Sequence, residues 1–302
     1  MSIPAGIQES LKNTKCQYRQ MGTSGLCVSV SIFGCGDLGD PRIISWAIQE
    51  DGALPLLKAA YDRGLDTWDT AIKKYQIPRA KVVLITKCYW AVGERQWVEA
   101  SKDYQNQFGL SRAATFNQIY CFDTATPIEE TMQAPYDLLQ QGKVRCIGAS
   151  SMWATQFARM QFAAERHGWT RFREMVRICH DTGVGLTPWV PLCRGHLARP
   201  PAAFGSTVRS REEKEQMPGS HGTAEPDLSI IRRVQEVAEK RDWPMSHVAL
   251  AWLNKRVTSP VVGFSSIARM DELLESSGEV LADEEEKYLE ELYLPKAIRG
   301  HV

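Results

Sequence analysis

Two charged side chains stand at the ends of two apolar runs. Residues 64–71 read Gly-Leu-Asp-Thr-Trp-Asp-Thr-Ala, and residues 81–88 read Lys-Val-Val-Leu-Ile-Thr-Lys-Cys. Both have the composition of buried strands, and they end in Asp69 and Lys87. Opposite charges at the ends of neighbouring strands are a candidate active site. The bland alternatives are a helix-capping or surface acid for Asp69 and a solvated strand-end lysine for Lys87. Residues 72–80 are all that separates the two runs, whereas a parallel crossover takes roughly a dozen residues or more. The chain is short where a scaffold for this pair is needed.

The remaining elements alternate between strand and helix. A first strand is expected over 26–34, a helix over 52–63 stopped by Gly64, and a clipped strand at 119–122. Thr126-Pro-Ile-Glu-Glu130 reads as a helix start, with Thr126 as cap, proline in the first turn and acids next. That helix runs to about Gln141, and a strand over 143–149 ends at Ser150 and Ser151. Two helices in a row, Trp153–His167 and Arg173–Thr182, precede a strand over 184–190. A polar loop covers 191–226. Helices at 227–241 and 244–255, a strand at 259–264, a helix from Met270 and an acidic terminal helix over 283–292 complete the order. Seven strands alternating with helices favour an α/β fold of the (β/α)8, TIM-barrel type over a doubly wound sheet. The count is one short of eight, where 151–184 holds two consecutive helices, so the barrel reads as incomplete.

The chain has 302 residues and 36 basic against 36 acidic side chains. One large domain over 1–302 fits that length. Zero net charge argues against a general nucleic-acid binder or a membrane-surface protein. The N-terminus lacks an apolar signal-peptide core, and no window approaches a membrane span. Eight scattered cysteines form no CxxC pair or zinc spacing. They read as buried reduced thiols of a cytoplasmic protein.

Gly34-Cys-Gly-Asp-Leu-Gly39 matches GxGxxG, a dinucleotide loop when a helix starts inside it. Asp40-Pro-Arg42 follows instead, which favours a glycine-lined turn after a strand. Several segments taken together, "GLDTWDTA", "KVVLITKC", "TPIEETM", "GKVRCIGASSMWA", "TGVGLTPWVPLCRGHLARP" and "SPVVGFSSIARMDELL", resemble the aldo-keto reductase family, in matching order from about Tyr18 to Val302. The likeness is to fungal members associated with secondary-metabolite clusters.

The resemblance implies an eight-stranded (β/α) barrel that moves hydride from NADPH to a small-molecule carbonyl. It also implies a tetrad of Asp, Tyr, Lys and His. In that tetrad the tyrosine protonates the forming alkoxide, the lysine and its aspartate lower the tyrosine pKa, and the histidine orients the carbonyl. Asp69 matches the tetrad aspartate and Lys87 the tetrad lysine. The family tyrosine has no counterpart after "DTA": residues 72–80 resemble the far end of the family segment, and Tyr75 is not at the catalytic position. Tyr120, in Gln118-Ile-Tyr-Cys-Phe-Asp123, takes the place of the histidine. A third gap follows Phe172, where the family strand with the nicotinamide-binding glutamine belongs. Three internal deletions are thus expected.

The cofactor side is more complete. Ser150 and Ser151 match the carboxamide-binding positions, where the family's usual second residue is Asn. Pro191, Leu192, Arg194, Gly195 and Arg199 match the loop over the pyrophosphate. Ser265, Ser266, Arg269 and Glu272 match the segment around the adenosine 2′-phosphate and the adenine; hydroxyls and an arginine at a helix start suit a phosphate. His196 reads as a loop residue. The leading function is NADPH-dependent reduction of a ketone or aldehyde. A cofactor-binding remnant without redox activity and a barrel re-purposed for non-redox chemistry stand as alternatives.

Overall fold

The computed structural model describes residues 12–42, 44–69, 81–88, 118–175, 183–216 and 225–295. The expected first strand divides. Strand β1 (Gln17–Gln20) and strand β2 (Cys27–Val30) form an antiparallel hairpin, and β3 (Ile32–Gly34) then enters a parallel sheet. The hairpin turn is pressed against the start of a later strand: Thr23 N donates to Gly183 O at 2.8 Å. Gly22 is at φ +53, and a Cβ there would lie 2.2 Å from Gly183 O. Arg19 also reaches the carbonyls of Asn254 and Val257. This packing occupies the N-terminal ends of the parallel strands and leaves their C-terminal ends for chemistry.

Helix α1 (Glu50–Asp62) follows, stopped by Gly64 at φ +88, a left-handed position that glycine adopts without a Cβ clash. Then come β4 (Thr67–Asp69), β5 (Val83–Ile85), β6 (Lys87–Cys88) and β7 (Gln118–Ile119). Helix α2 (Ile128–Gln140) starts one residue later than its capping signal implies. Pro127 is the cap position, and Thr126 Oγ1 instead donates to Asp123 Oδ2 at 2.8 Å.

Strand β8 (Gly148–Ala149) and helix α3 (Ala154–Arg166) are followed by a correction to the expected order. Residues 174–175 form a strand, β9 (Glu174–Met175), where a second helix was expected. Glu174 pairs in parallel with Gly148 on one side and with Gly185, in β10 (Gly185–Leu186), on the other. A strand so short shows no alternation, so only its neighbours' open edges specify it. The rest of the expected helix, 176–182, lies outside the described residues.

The expected loop 191–226 holds 3₁₀ turns at Cys193–Ala198 and Pro201–Ala203 and a helix, α4 (Val208–Gln216). Helices α5 (Asp227–Arg241) and α6 (Met245–Asn254), strand β11 (Val261–Val262), helix α7 (Ile267–Glu275) and helix α8 (Asp283–Glu290) complete the chain. Helix α7 begins three residues before the expected Met270, because Ser266 caps it by accepting from Arg269 N.

The fold is α/β with parallel sheets. One has the order β11-β3-β4-β5 and the other β10-β9-β8-β7-β6. Thr86 alone separates β5 from β6, and an isolated parallel bridge joins Trp189 to Val261. Helices pack outside the strands around apolar clusters. One, with Phe33, Leu57, Trp68, Phe264 and Met270, lies beneath α1 and α7; another, with Ile119, Met132, Ile147, Met160 and Phe172, lies beneath α2 and α3. Phe33 and Phe264 stack at 5.3 Å with rings 8° apart, an aromatic contact of about 0.5–1.5 kcal/mol that fixes the end of β11.

Candidate active site

Strand register brings the predicted pair together. Asp69 is the register partner of Ile85, and Lys87 lies two residues further along. Side chains alternate faces with period two, so Asp69 and Lys87 point to the same face from adjacent strands. Lys87 Nζ donates to Asp69 Oδ2 in an ion pair whose side chains are 21% and 15% exposed. Gly34, opposite Asp69, adds no side chain to the space. Cys35 N donates to the carbonyl of Asp69 at 3.1 Å. Burial, with the Asp69 charge behind it, pushes the Cys35 thiol well above its ordinary range.

The next two strands carry the other predicted groups. Lys87 pairs with Gln118 and Cys88 with Ile119, so Tyr120 emerges one step beyond the register of β6 and β7. It is exposed. Ser150 follows β8, buried, with its N–H donating to Ile119 O at 2.7 Å. Its hydroxyl meets that of Ser151 at 3.2 Å. Ser151 is held at φ +48, a left-handed conformation that Asn tolerates better than most residues.

The loop after β10 is built on left-handed residues. Val190, Cys193 and Arg194 have φ of 55°, 45° and 57°, and Gly195 has 96°. Backbone held this way over a few residues is characteristic of functional loops. Pro191 opens the turn, and Leu192 anchors it against the cluster that contains Phe33. A Cβ on Gly195 would lie 2.9 Å from Arg199 Nη2, so glycine lets the guanidinium lie against the loop. Arg199 Nη1 donates to Thr207 Oγ1 at 3.4 Å. Its pKa is lowered, first by burial and then by the like charge of Arg269. Arg269 Nη1 donates to Ser265 Oγ at 2.8 Å, and Ser266 caps α7. Hydroxyls and an arginine at a helix N-terminus suit a phosphate.

Glu272 stands on the inner side of α7, towards α6. It accepts from Ser246 Oγ at 2.8 Å, and its carbonyl meets His247 Nε2 at 2.7 Å, so it braces α7 on α6. His196 packs edge-on against Phe204, as a loop residue. Tyr75 lies outside the described residues. One feature escaped sequence reading: Trp189, which ends the β10 segment, is 56% exposed. Flanked by Pro188 and Val190, it reads as strand core; its position just before the loop was the available signal. Cys27 and Cys193 are exposed, which corrects the expectation that the thiols are buried. No helix among the described residues is long and apolar enough to cross a membrane.

A half-buried carboxylate–ammonium pair therefore stands at strand ends of a parallel α/β scaffold. The aldo/keto reductase family profile matches residues 32–294. An aldo-keto reductase of Fusarium vanettenii is 44% identical over 363 aligned positions, covering 100% of this chain and 97% of the relative. An aldo-keto reductase of Metarhizium robertsii is 42% identical, with coverage of 100% and 97%. The versiconal hemiacetal acetate reductase of Aspergillus parasiticus is 37% identical, with coverage of 93% and 98%. The chain belongs to the aldo/keto reductase family and is an oxidoreductase that reduces carbonyls. The alignment of 363 positions exceeds its 302 residues, so it lacks segments that this relative carries.

Proposed function

We propose that this chain is an NADPH-dependent reductase of a ketone or aldehyde on a small, secondary-metabolite-type molecule. The observation that carries the choice of cofactor is Arg269 bonded to Ser265 at the start of α7, with Ser266 as its cap, since hydroxyls and an arginine at a helix N-terminus suit a 2′-phosphate. Ser150 and Ser151 offer hydroxyls for the carboxamide, and the exposed indole of Trp189 offers a face for the nicotinamide ring. NADPH supplies the hydride when bound.

Asp69 and Lys87 act on the oxygen side of the carbonyl. The ammonium offsets the negative charge that builds on the oxygen, and Asp69 fixes the ammonium in position. Tyr120 is assigned as proton donor. It lies two residues past Gln118, the partner of Lys87, so continued strand geometry separates the Lys87 and Tyr120 backbones by roughly 8 Å, within reach of two long side chains. Closure of the strands into one (β/α)8 barrel over a single unit, 1–302, accounts for the Trp189–Val261 bridge and for the single-residue break at Thr86.

A second reading, a nucleotide-binding protein without turnover, is favoured by the segments that the chain lacks. Titration with NADPH, followed by absorbance at the nicotinamide band with a panel of ketones and aldehydes, separates the two. Oxidation of NADPH by a carbonyl is expected; tight binding with no oxidation would establish the second reading.

A further inference from the structure

A cavity of about 480 Å³ lies at the N-terminal ends of the strands, opposite the end that carries Asp69 and Lys87. Three segments far apart in the chain enclose it: the β1–β2 hairpin, the residues just before β10, and the connection from α6 to β11. Its volume falls in the range of small-molecule sites, ~300–1,000 Å³. Val184 and Leu186 supply apolar lining, and three cations, Arg19, Lys255 and Arg256, stand around it. Among the described residues no acid lines it.

The three cations differ in how their charge is met. Lys255 reaches Asp283 and Glu286, and Arg256 reaches Glu286 and Glu290, all on α8. Arg19 has neutral partners: its Nη1 donates to the carbonyls of Asn254 and Val257, which uses both N–H bonds of that nitrogen. The edge formed by Nε and Nη2 meets no acceptor among the described residues. That edge is the one that takes a carboxylate through two parallel bonds. A single unmet charge suits a carboxylate better than a phosphate dianion. Asn254 adds a second, independent signal. Its carbonyl holds Arg19, while its side-chain Oδ1 is buried with no hydrogen-bond partner. An acceptor left unmet in this way is costly, and a hydroxyl donor in the cavity relieves it.

We propose that this cavity is a second binding site, which takes a monoanionic α-hydroxycarboxylate with an apolar side chain. The Nε–Nη2 edge of Arg19 holds the carboxylate. The α-hydroxyl donates to Asn254 Oδ1, and the apolar side chain lies against Val184 and Leu186. The ligand joins the hairpin to the α6–β11 connection, so it stabilises the folded chain by mass action. Because the cavity lies at the opposite end of the strands from the candidate active site, the ligand and NADPH bind together. The proposal does not depend on the reductase reading.

The test is calorimetric titration of the full chain, with and without saturating NADPH, using mandelate and using phenylacetate, which lacks the hydroxyl. Mandelate is expected to bind at one site per chain under both conditions and to raise the unfolding temperature. Phenylacetate should bind roughly tenfold more weakly, the order expected for one hydrogen bond. Asn254→Leu should bring mandelate down to the affinity of phenylacetate and leave phenylacetate unchanged. Arg19→Lys keeps the charge but not the fork, and should weaken both acids roughly tenfold. No saturable binding of mandelate, or equal binding of the two acids to the wild type, overturns the site. Wild-type affinity in Arg19→Lys overturns the role of the fork. Inorganic phosphate bound more tightly than mandelate overturns the choice of a carboxylate. Displacement of mandelate by NADPH places it in the cofactor groove and overturns a second site. A chain that binds mandelate but not NADPH refutes the reductase reading alone. Where Arg19→Lys fails to fold, Asn254→Leu decides, because only the proposed pose ties that side chain to the hydroxyl.

Discussion

Lys87 reaches Asp69 because it stands two residues past Ile85, the register partner of Asp69 on the neighbouring strand. One residue fewer between them would turn the two charges to opposite faces. The pair is thus a product of register, and its consequences can be tested.

Lys87→Met removes the cation that faces the developing oxyanion, and turnover should fall by roughly 10²–10⁴-fold. Asp69→Asn leaves the ammonium in place but loosens it, so its loss should be smaller. NADPH affinity should stay near wild type in both, since neither side chain is assigned to the cofactor. Steady-state kinetics alongside a binding titration would check this; equal losses in kcat and in affinity would count against it.

Ser151 sits at φ +48, where most side chains are strained and Asn is not. Ser151→Asn should raise stability by about half a kcal/mol, and Ser151→Val should lower it by about 1 kcal/mol or more. Urea midpoints of the three proteins would show the order.

Asp271 accepts from Arg63 Nε and Nη2 and from Lys15 Nζ, each at 2.8 Å. Hydrogen bonds from Arg63, then from Lys15, hold its pKa well below the usual carboxylate range. A depressed folded pKa means that the stabilisation is present above the unfolded value of about 3.9 and is lost as pH falls below it towards the folded value. Asp271→Asn should therefore cost about 1 kcal/mol at pH 7. The difference from wild type should shrink only below about pH 4. Denaturant unfolding at pH 7 and pH 3 measures both.

Thiol reactivity should separate the cysteines by burial. Cys27 is exposed, whereas burial pushes the Cys16 thiol up to about 12 and raises that of Cys35 as well. Iodoacetamide at mildly alkaline pH should label Cys27 in the native protein and spare Cys16 and Cys35 until it unfolds. Because burial outweighs the Asp69 charge at Cys35, Asp69→Asn should leave Cys35 protected; rapid labelling there would contradict this ordering.

Much of the scaffold is legible because amphipathic periodicity and stop signals are local. The apolar stripes of α1, α3, α5 and α6, and the glycines Gly64, Gly142 and Gly168 at positive φ, mark their own boundaries. Helix α4 was missed for the opposite reason: Val208-Arg-Ser-Arg-Glu-Glu-Lys-Glu-Gln has no apolar face to reveal it. Strand β9 was missed because two residues carry no period.

The sequence by itself determined which side chains stand at strand ends, since alternation and strand breaks are written in neighbouring residues. Asp69, Lys87, Ser150 and the Ser265–Arg269 segment could be named from it. Tertiary structure alone decided which of these meet. Register turned Asp69 towards Lys87, chain packing brought Arg199 to Thr207, and an ion pair joined residues 37 and 209. Such contacts join groups far apart in the chain, and their energies depend on distance and burial, which no local pattern encodes.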